Sequence, residues 1–533
     1  MTYEYSRKWL QSYPDHVSRT REIPNKSLYA LLEQTTENVG AKIALIADDG
    51  QKISYEQLKD KVDRLAGAWY RMGLQKGERI GLMLPNTPYY VISYYAAMRL
   101  GLVVVQINPN YTIRELVYII KDAELNHIVI QEDQFDYVMQ FVDMYNISNL
   151  FVTESTIYHA NVLAQLIEDT PPLHRTVPID IVNDIAVIQY TSGTTGKMKG
   201  VMLTQANLVA NVFQNYAVYG DKIRFGAEIV FTAIPLYHVY AMTSAMNIGI
   251  FIGATNVLLE SYDVDAALLK IKKYQPTFFP GVPRMYIDFI HHPNAESYNL
   301  DCLRFCLCGS APLPVDVIKK FERLTGTVIA EGYGLSEASP STHRNPPLGV
   351  RKIGSIGTPL PHTESKIVDD EGNELPVQSV GELIVKGPQV MKGYWRNKEE
   401  TVNALRNGWL YTADLARQDE DGYFYIVGRK KEMIISNGFN VSPVEVEQIL
   451  HEHPDVKEVA VVGIPDAIEG ERIKAFVALK EGSTVLKEEL KGHCYQELTA
   501  YKIPKEFEFI DELPRNSVGK VIKTKLITMT NRN

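Results

Sequence analysis

The sequence predicts an α/β protein with a large N-terminal domain of stacked, mostly parallel sheets, a β-rich subdomain, and a small C-terminal α+β domain. Three observations predict it. Residues 27–180 alternate helical patterns with short apolar strands, at a spacing that implies parallel sheets covered by helices. Residues 355–425 switch to short strands separated by Gly-containing turns such as DDEGNE and QDEDGY. Beyond a basic joint at residues 428–433 (GRKKEM), a new compact unit runs from Ser442 onward. A chain of 533 residues is also too long for one ordinary core.

The elements follow in order. Residues 55–72 read as an amphipathic helix, 79–84 as a strand and 89–99 as a helix, and a second round includes a strand at 127–131. Residues 184–190 (DIAVIQY) have the β-branched content of a buried strand. The longest apolar run, residues 239–259, is broken by Thr243, Ser244, Asn247, Thr255 and Asn256, so it reads as a buried helix and strand rather than a membrane span. Ala241, Ala245, Gly249 and Gly253 recur every four residues, along one helical face. Either another helix packs closely on that stripe or a long tunnel runs along it. In the last unit, a helix at 443–451, strands at 456–464 and 474–479, and a helix at 486–498 are expected.

The composition, 45% hydrophobic and 22% charged, is that of a globular protein, without internal repeats or low-complexity tracts. A formal charge of −9 argues against a general nucleic-acid or anionic-membrane surface. Any anion must therefore meet locally concentrated cations: Lys197, Lys199, Arg351, Lys352, Arg429, Lys430, Lys431 and Lys520. Cys302, Cys306 and Cys308 cluster without a second pair or histidine to complete a metal set, which fits core thiols in a reducing cytoplasm. The opening MTYEYSRKWLQSYPDH lacks the apolar stretch of a secretory signal, so a cytoplasmic location is expected.

The most informative stretch is residues 190–201, YTSGTTGKMKGV. Gly193 and Gly196 let the backbone turn so that successive N–H groups point into one concavity. Thr191, Ser192, Thr194 and Thr195 add hydroxyls, and Lys197 and Lys199 add positive charge, a combination suited to a polyphosphate. The spacing is not that of a Walker A loop, because only Thr194 and Thr195 separate the glycines and Met198 follows Lys197. Taken alone, the stretch also reads as a surface Gly/Thr turn.

With that loop the chain resembles the adenylate-forming superfamily of acyl-CoA synthetases, firefly-type luciferases and peptide-synthetase adenylation domains. The family's motif is TSGTTG-x-P-K-G. Met198 stands at the proline position, which removes a φ restraint but no ligand group. The resemblance covers nearly the whole chain and implies ATP, Mg²⁺ and CoA. It implies that Thr191, Ser192, Gly193, Thr194, Thr195, Gly196 and Lys199 hold ATP. Residues 331–337 (EGYGLSE) match the Y-G-x-T/S-E motif. Glu331, Gly332, Tyr333, Gly334 and Ser336 would then line the nucleotide site, with Tyr333 stacked on adenine. Glu337 would bind Mg²⁺ together with Thr191. Residues 307–312 (LCGSAP) match a G-x-A-P segment, which would set Gly309, Ser310 and Ala311 beside adenine and the acyl group.

Residues 411–414 (YTAD) match the family's ribose motif with Ala413 in place of glycine. Asp414 would accept from the ribose hydroxyls, joined by Arg429. If the glycine serves a positive φ, Ala413 adds strain of about 1 kcal/mol. Residues 513–521 (LPRNSVGKV) resemble the terminal P-x-x-x-x-G-K motif and make Lys520 the expected catalytic residue. Its ammonium would stabilise the charge that spreads as a carboxylate attacks the α-phosphorus. The resemblance divides the chain into a large ATP- and acyl-binding domain, 1–430, and a small mobile domain, 431–533. Lys431 would be the hinge, and Ser436, Asn437 and Gly438 would face the thiol channel after rotation.

Residues 235–240 (PLYHVY) resemble the aromatic–histidine motif of acyl- and aryl-CoA ligases, which implies a second catalytic residue, His238, at the acyl carboxylate. A buried core histidine is the alternative. Tyr237, Ala241, Met242 and Gly281 would form the acyl pocket. No aspartate lies between residues 235 and 256 to pair an α-ammonium, which argues against an amino-acid substrate. The likeness through HVYAM, FFPGVPRMY, CGSAPLP, EGYGLSEASP and KGPQVMKGYW is to bacterial long-chain fatty acid–CoA ligases. Gln205 departs from the histidine usual in that family. The implied activity is a medium- or long-chain fatty acid–CoA ligase. A fatty acyl-AMP ligase loading a carrier protein is disfavoured by the compactness of residues 353–386, and aryl acids stay open as substrates. An impaired acyl-binding protein has only Met198, Ala413 and Gln205 in its support. The partners implied are a fatty acid, ATP and CoA, without nucleic acid. Peripheral membrane contact and a homodimer stay open.

Overall fold

The computed structural model describes residues 7–17, 22–155, 161–192, 198–436, 439–466, 470–516 and 519–530. Among them four sheets form, two large and mainly parallel, two smaller and mainly antiparallel.

The first large sheet is centred on the parallel strands Arg79–Met83, Val103–Gln106, His127–Ile130 and Ile185–Ser192. Strand Met198–Thr204 pairs antiparallel with Ile185–Ser192, and Gly393–Tyr394 pairs on its other side. The second large sheet runs through the parallel strands Thr255–Leu258, Ile229–Thr232, Phe278–Gly281, Phe305–Cys308 and Ile329–Gly334. Both are buried on two faces, and alternate residues serve different cores. Val104 and Phe231 join the central core with Trp69, Tyr90 and Tyr94. Their neighbours Val103 and Val105 face a second core, and Val230 faces a third.

Local chemistry sets the helices between them. Helix Tyr55–Arg71 starts at a reciprocal cap between Ser54 and Gln57, and Arg79–Met83 follows a tight Gly77 turn. Helix Pro88–Leu100 begins with Thr87 as cap and proline in its first turn, and stops where Gly101 adopts a left-handed φ of 69°. The run 239–259 is a buried helix and strand as expected, but the helix contains a wide π-helical turn, Met242–Asn247, between two α-helical ends. This shifts the four-residue stripe, and Gly253 (φ 68°) lies past the helix end. A Cβ on Gly249 would stand 2.7 Å from the Asn256 amide, so that glycine serves close packing.

The β-rich subdomain is the antiparallel sheet of Glu364–Val368, Gly381–Lys386, Trp409–Gln418 and Phe424–Arg429, with the short Leu405–Arg406. After it, strands Ile434–Ser436, Phe439–Val441, Val456–Asp466, Gly470–Leu479 and Glu506–Phe509 form the last sheet, which carries its own two cores. Helix Pro443–His451 matches the expectation, with Ser442 as its cap. Strand Gly470–Leu479 starts four residues before its apolar pattern does. Its polar end is stabilised by pairing along the length of Val456–Asp466, and Lys474 reaches Glu508 at 2.7 Å. No helix among the described residues is long and apolar enough to cross a membrane.

Candidate active site

His238 caps the short helix that follows strand Ile229–Thr232. Its Nδ1 accepts the Tyr240 N–H at 3.2 Å, so the neutral ring carries its proton on Nε2. Burial, reinforced by the nearby Lys520 ammonium, holds its pKa down at about 4. At neutral pH His238 is therefore a hydrogen-bond donor through Nε2 and not a cation. The segment leading to it is pinned by Asn86, which is 2% exposed. The Asn86 Nδ2 donates to the carbonyls of Thr232, Ile234 and Leu259 at 3.2, 3.0 and 3.1 Å, and its Oδ1 accepts the Leu236 N–H at 2.7 Å.

Around this loop lie the expected acyl-pocket residues. Tyr237 and Ala241 are buried, and the Met242 sulfur accepts from the Gln106 amide at 3.2 Å. At Gly281 a Cβ would stand 2.7 Å from the Tyr286 ring, so the close approach requires glycine. Gly309 lies against the Tyr240 ring, and Ser310 takes a positive φ of 72° ahead of Ala311.

Strand Ile329–Gly334 supplies the nucleotide face. The Tyr333 hydroxyl donates to Asp414 Oδ2, and Arg429 Nε lies 3.3 Å from Asp414 Oδ1. Asp414 and Arg429 are direct partners across adjacent strands. Burial raises the Asp414 pKa, with Arg429 opposing it. Gly332 and Gly334 face the antiparallel strand Ser341–Arg344, where a Cβ on Gly334 would meet the Pro340 carbonyl at 2.4 Å, and Ser336 opens the next turn. Ala413, beside Asp414, has a φ of 58°. The missing glycine therefore stood at a left-handed position, and alanine there costs about 1 kcal/mol.

Glu331, 8% exposed, accepts the Gly354 N–H at 3.0 Å, and burial pushes its carboxyl up to about 7. The folded state thus holds this proton more tightly than the unfolded chain does. Its contribution falls as pH rises from about 4.5 to 7 and stays at its low value above. Glu331→Gln keeps an acceptor for Gly354 without the charge. Its stability relative to wild type should improve from pH 5 to pH 8 by about 3 kcal/mol. Denaturant midpoints at both pH values check this; an equal difference at each would refute it.

On the phosphate side, Thr191 pairs with Lys199 across the antiparallel strands. Lys199 ion-pairs with Glu400 and lies 5.1 Å over the Tyr394 ring. The Tyr394 hydroxyl donates to Glu337 Oε1 at 2.7 Å. Gly193, Thr194, Thr195, Gly196 and Lys197 lie outside the described residues, as do the Ser192 side chain and Asn437 and Gly438. The Thr191 hydroxyl and Glu337 carboxylate are hard oxygen donors, which fits Mg²⁺. Arg429 and Lys520 provide cations, and Tyr333 with Asp414 provides an aromatic face and an acceptor, which fits a nucleotide.

Lys520 arrives from the far end of the chain. Its N–H donates to Asn516 Oδ1 at 2.9 Å and its carbonyl accepts from Asn516 N at 2.9 Å, closing a tight loop. Arg515 ties the loop to Glu458 at 2.6 Å, and Arg284 of the large domain reaches Glu512 at 3.3 Å. Burial lowers the Lys520 pKa, with Arg429 adding to it and Asp414 and Glu432 opposing. Lys431 is exposed in the turn between the subdomain and the last sheet, and buried Ser436 ends strand Ile434–Ser436.

Sequence reasoning missed Asn86, Glu382 and Tyr394, and gave little weight to Gln205. The Gln205 side chain, 1% exposed, accepts the Leu28 N–H at 2.9 Å and donates to the Met98 carbonyl at 3.1 Å, a structural cross-link. Polar residues between apolar neighbours at Asn86 and Gln205 were the available signal.

Comparison with known proteins adds an independent line. Residues 32–395 match the model of the AMP-binding enzyme family, and residues 445–520 match the AMP-binding enzyme C-terminal domain. A long-chain-fatty-acid–CoA ligase of Bacillus subtilis is 41% identical over 99% of this chain and 99% of its own length. One of Escherichia coli O6:H1 is 36% identical over 97% of each. ATP-bound MatB from Rhodopseudomonas palustris superposes with a TM-score of 0.88 at 32% identity, covering 94% of this chain and 98% of that one. The apo form of MatB, at 31% identity and the same coverage, gives 0.78.

Proposed function

This chain belongs to the AMP-binding enzyme family, and from that premise we propose how its residues carry out the ligation of a medium- or long-chain fatty acid to CoA. It is an ATP-dependent, AMP-forming acid–thiol ligase of the fatty acid–CoA type, and it uses ATP, Mg²⁺ and CoA. The observation that carries the assignment of roles is the convergence of Tyr333, Asp414, Arg429 and Lys520, with His238 within the electrostatic reach of Lys520.

Tyr333 and Asp414 bind the nucleoside, with Arg429 beside the ribose and phosphates. Glu337 and Thr191 would hold Mg²⁺, which when bound would neutralise phosphate charge. His238 Nε2–H donates to the acyl carboxylate and orients it. A carboxylate oxygen forms a bond to the α-phosphorus while the bond to pyrophosphate breaks, and the Lys520 ammonium stabilises the charge that spreads in between. The CoA sulfur then bonds to the acyl carbon and AMP leaves.

The boundary proposed is 430/431. Lys430 N–H makes a backbone bond to Ala413 at 3.0 Å, and the next strand, from Ile434, belongs to the separate C-terminal cores. Lys431 lies between and is the proposed hinge. The better match to the ATP-bound relative than to its apo form supports reading this arrangement as the adenylation state. Cytoplasmic residence belongs to the same proposal.

ATP–pyrophosphate exchange across C4–C18 fatty acids, aromatic acids and amino acids, repeated with CoA while AMP and thioester are followed, tests the reading. Exchange with fatty acids and CoA-dependent thioester are expected. Exchange without thioester would move the assignment to carrier loading, and no exchange in folded protein would overturn it.

A further inference from the structure

Glu382 lies on strand Gly381–Lys386, whose residues through Val385 are buried, and its side chain is 11% exposed. A carboxylate in such a place needs partners, and this one has two. Its Oε1 accepts the N–H of Ala413 at 3.0 Å, and its Oε2 lies 3.2 Å from the Lys430 ammonium. The Lys430 N–H in turn donates to the Ala413 carbonyl at 3.0 Å. Both backbone polar groups of Ala413 are therefore held, and the two residues that hold them are joined to each other. Asp370, 2.6 Å from the Lys430 ammonium, anchors the ring from outside.

Ala413 is the residue that needs holding. Its φ of 58° carries a steric penalty for alanine that glycine does not pay, and its carbonyl leads directly into Asp414. We propose that Glu382 is a positioning residue for the nucleotide site: by bonding to the Ala413 N–H and the Lys430 ammonium it keeps Ala413 left-handed and so aims Asp414 at the ribose. The same ring fixes Lys430 to the large domain, which leaves Lys431 as the first residue free to swivel. The inference rests on the reading of Asp414 as the ribose ligand.

Steady-state pyrophosphate exchange of the full-length variants Glu382→Ala, Glu382→Gln, Ala413→Gly, Glu382→Ala/Ala413→Gly and Asp414→Ala tests it. Glu382→Ala should raise the KM for ATP about tenfold, the effect of losing one charge-assisted hydrogen bond, with kcat changed much less. Glu382→Gln, whose amide oxygen still accepts from Ala413 but whose NH2 cannot accept from the Lys430 ammonium, should fall between wild type and Glu382→Ala, at about threefold. Glycine at 413 removes the steric penalty against the left-handed conformation, so the double variant should recover part of the loss.

A double variant as impaired as Glu382→Ala, or Glu382→Gln as impaired as Glu382→Ala, would overturn the inference. A generic packing role predicts no rescue by Ala413→Gly. If Glu382→Ala does not fold, Glu382→Met, which fills the space without accepting a hydrogen bond, takes its place. An unchanged KM in Asp414→Ala would overturn the ribose reading itself. A raised KM there beside an unchanged one in Glu382→Ala would overturn only the role of Glu382.

Discussion

Lys520→Ala should slow formation of the acyl-adenylate by about two to three orders of magnitude and leave thioester formation from supplied acyl-adenylate near the wild-type rate. The asymmetry follows from where charge develops. In the first half-reaction negative charge spreads over the phosphoryl oxygens, in a site where burial has already lowered the Lys520 pKa. In the second, a thiolate attacks a carbonyl, and on the proposed rotation about Lys431 the ammonium of Lys520 no longer faces the reacting atoms. Lys520 is not otherwise needed to hold its loop, whose hydrogen bonds to Asn516 run through the Lys520 backbone. Pyrophosphate exchange and a single-turnover assay with synthetic acyl-adenylate and CoA separate the two steps. Equal losses in both would remove Lys520 from the catalytic role.

How much of this was legible depended on how local the signal was. Helix Pro443–His451 could be read to both ends because its cap, its first-turn proline and its apolar face are adjacent in the chain. The left-handed position at Ala413 was legible as a departure from a glycine pattern, and its φ bears that out. Residues 470–473 were not, because the strand they extend is stabilised by its partner and not by its own apolar pattern. The π-helical turn at Met242–Asn247 was equally hidden, since its residues suit an ordinary helix. The influence of the Lys520 charge on His238 depends on how distant parts of the chain pack, and only the family resemblance pointed to it. In the sequence Glu382 is one charge within the short apolar run 381–385. Its role depends on a backbone N–H 31 residues away and on an ammonium 48 residues away.

Asn86 shows the same gap between pattern and physics at a larger energetic scale. It sits between strand Arg79–Met83 of one large sheet and helix Pro88–Leu100, yet its amide bonds to the backbone of the other sheet, at residues 232–259. Asn86→Ala leaves the carbonyls of Ile234 and Leu259 and the N–H of Leu236 without that partner, while the Thr232 carbonyl keeps the Leu259 N–H at 3.1 Å. Each orphaned group costs about 1–3 kcal/mol, and partial relaxation brings the expected total to about 3–5 kcal/mol. Asn86→Asp should fare no better, because a carboxylate can still accept from Leu236 but is driven against the three carbonyl oxygens that the amide had bonded. Both variants should lower the denaturation midpoint. Both should also reduce the rate of pyrophosphate exchange at temperatures where the protein stays folded, because the bonds they break fix the approach to His238. A midpoint within about 1 kcal/mol of wild type for Asn86→Ala would mean that water replaces the amide. The polar link between the two large sheets would then rest more on Tyr90, whose hydroxyl donates to the Leu236 carbonyl at 2.8 Å, than on Asn86.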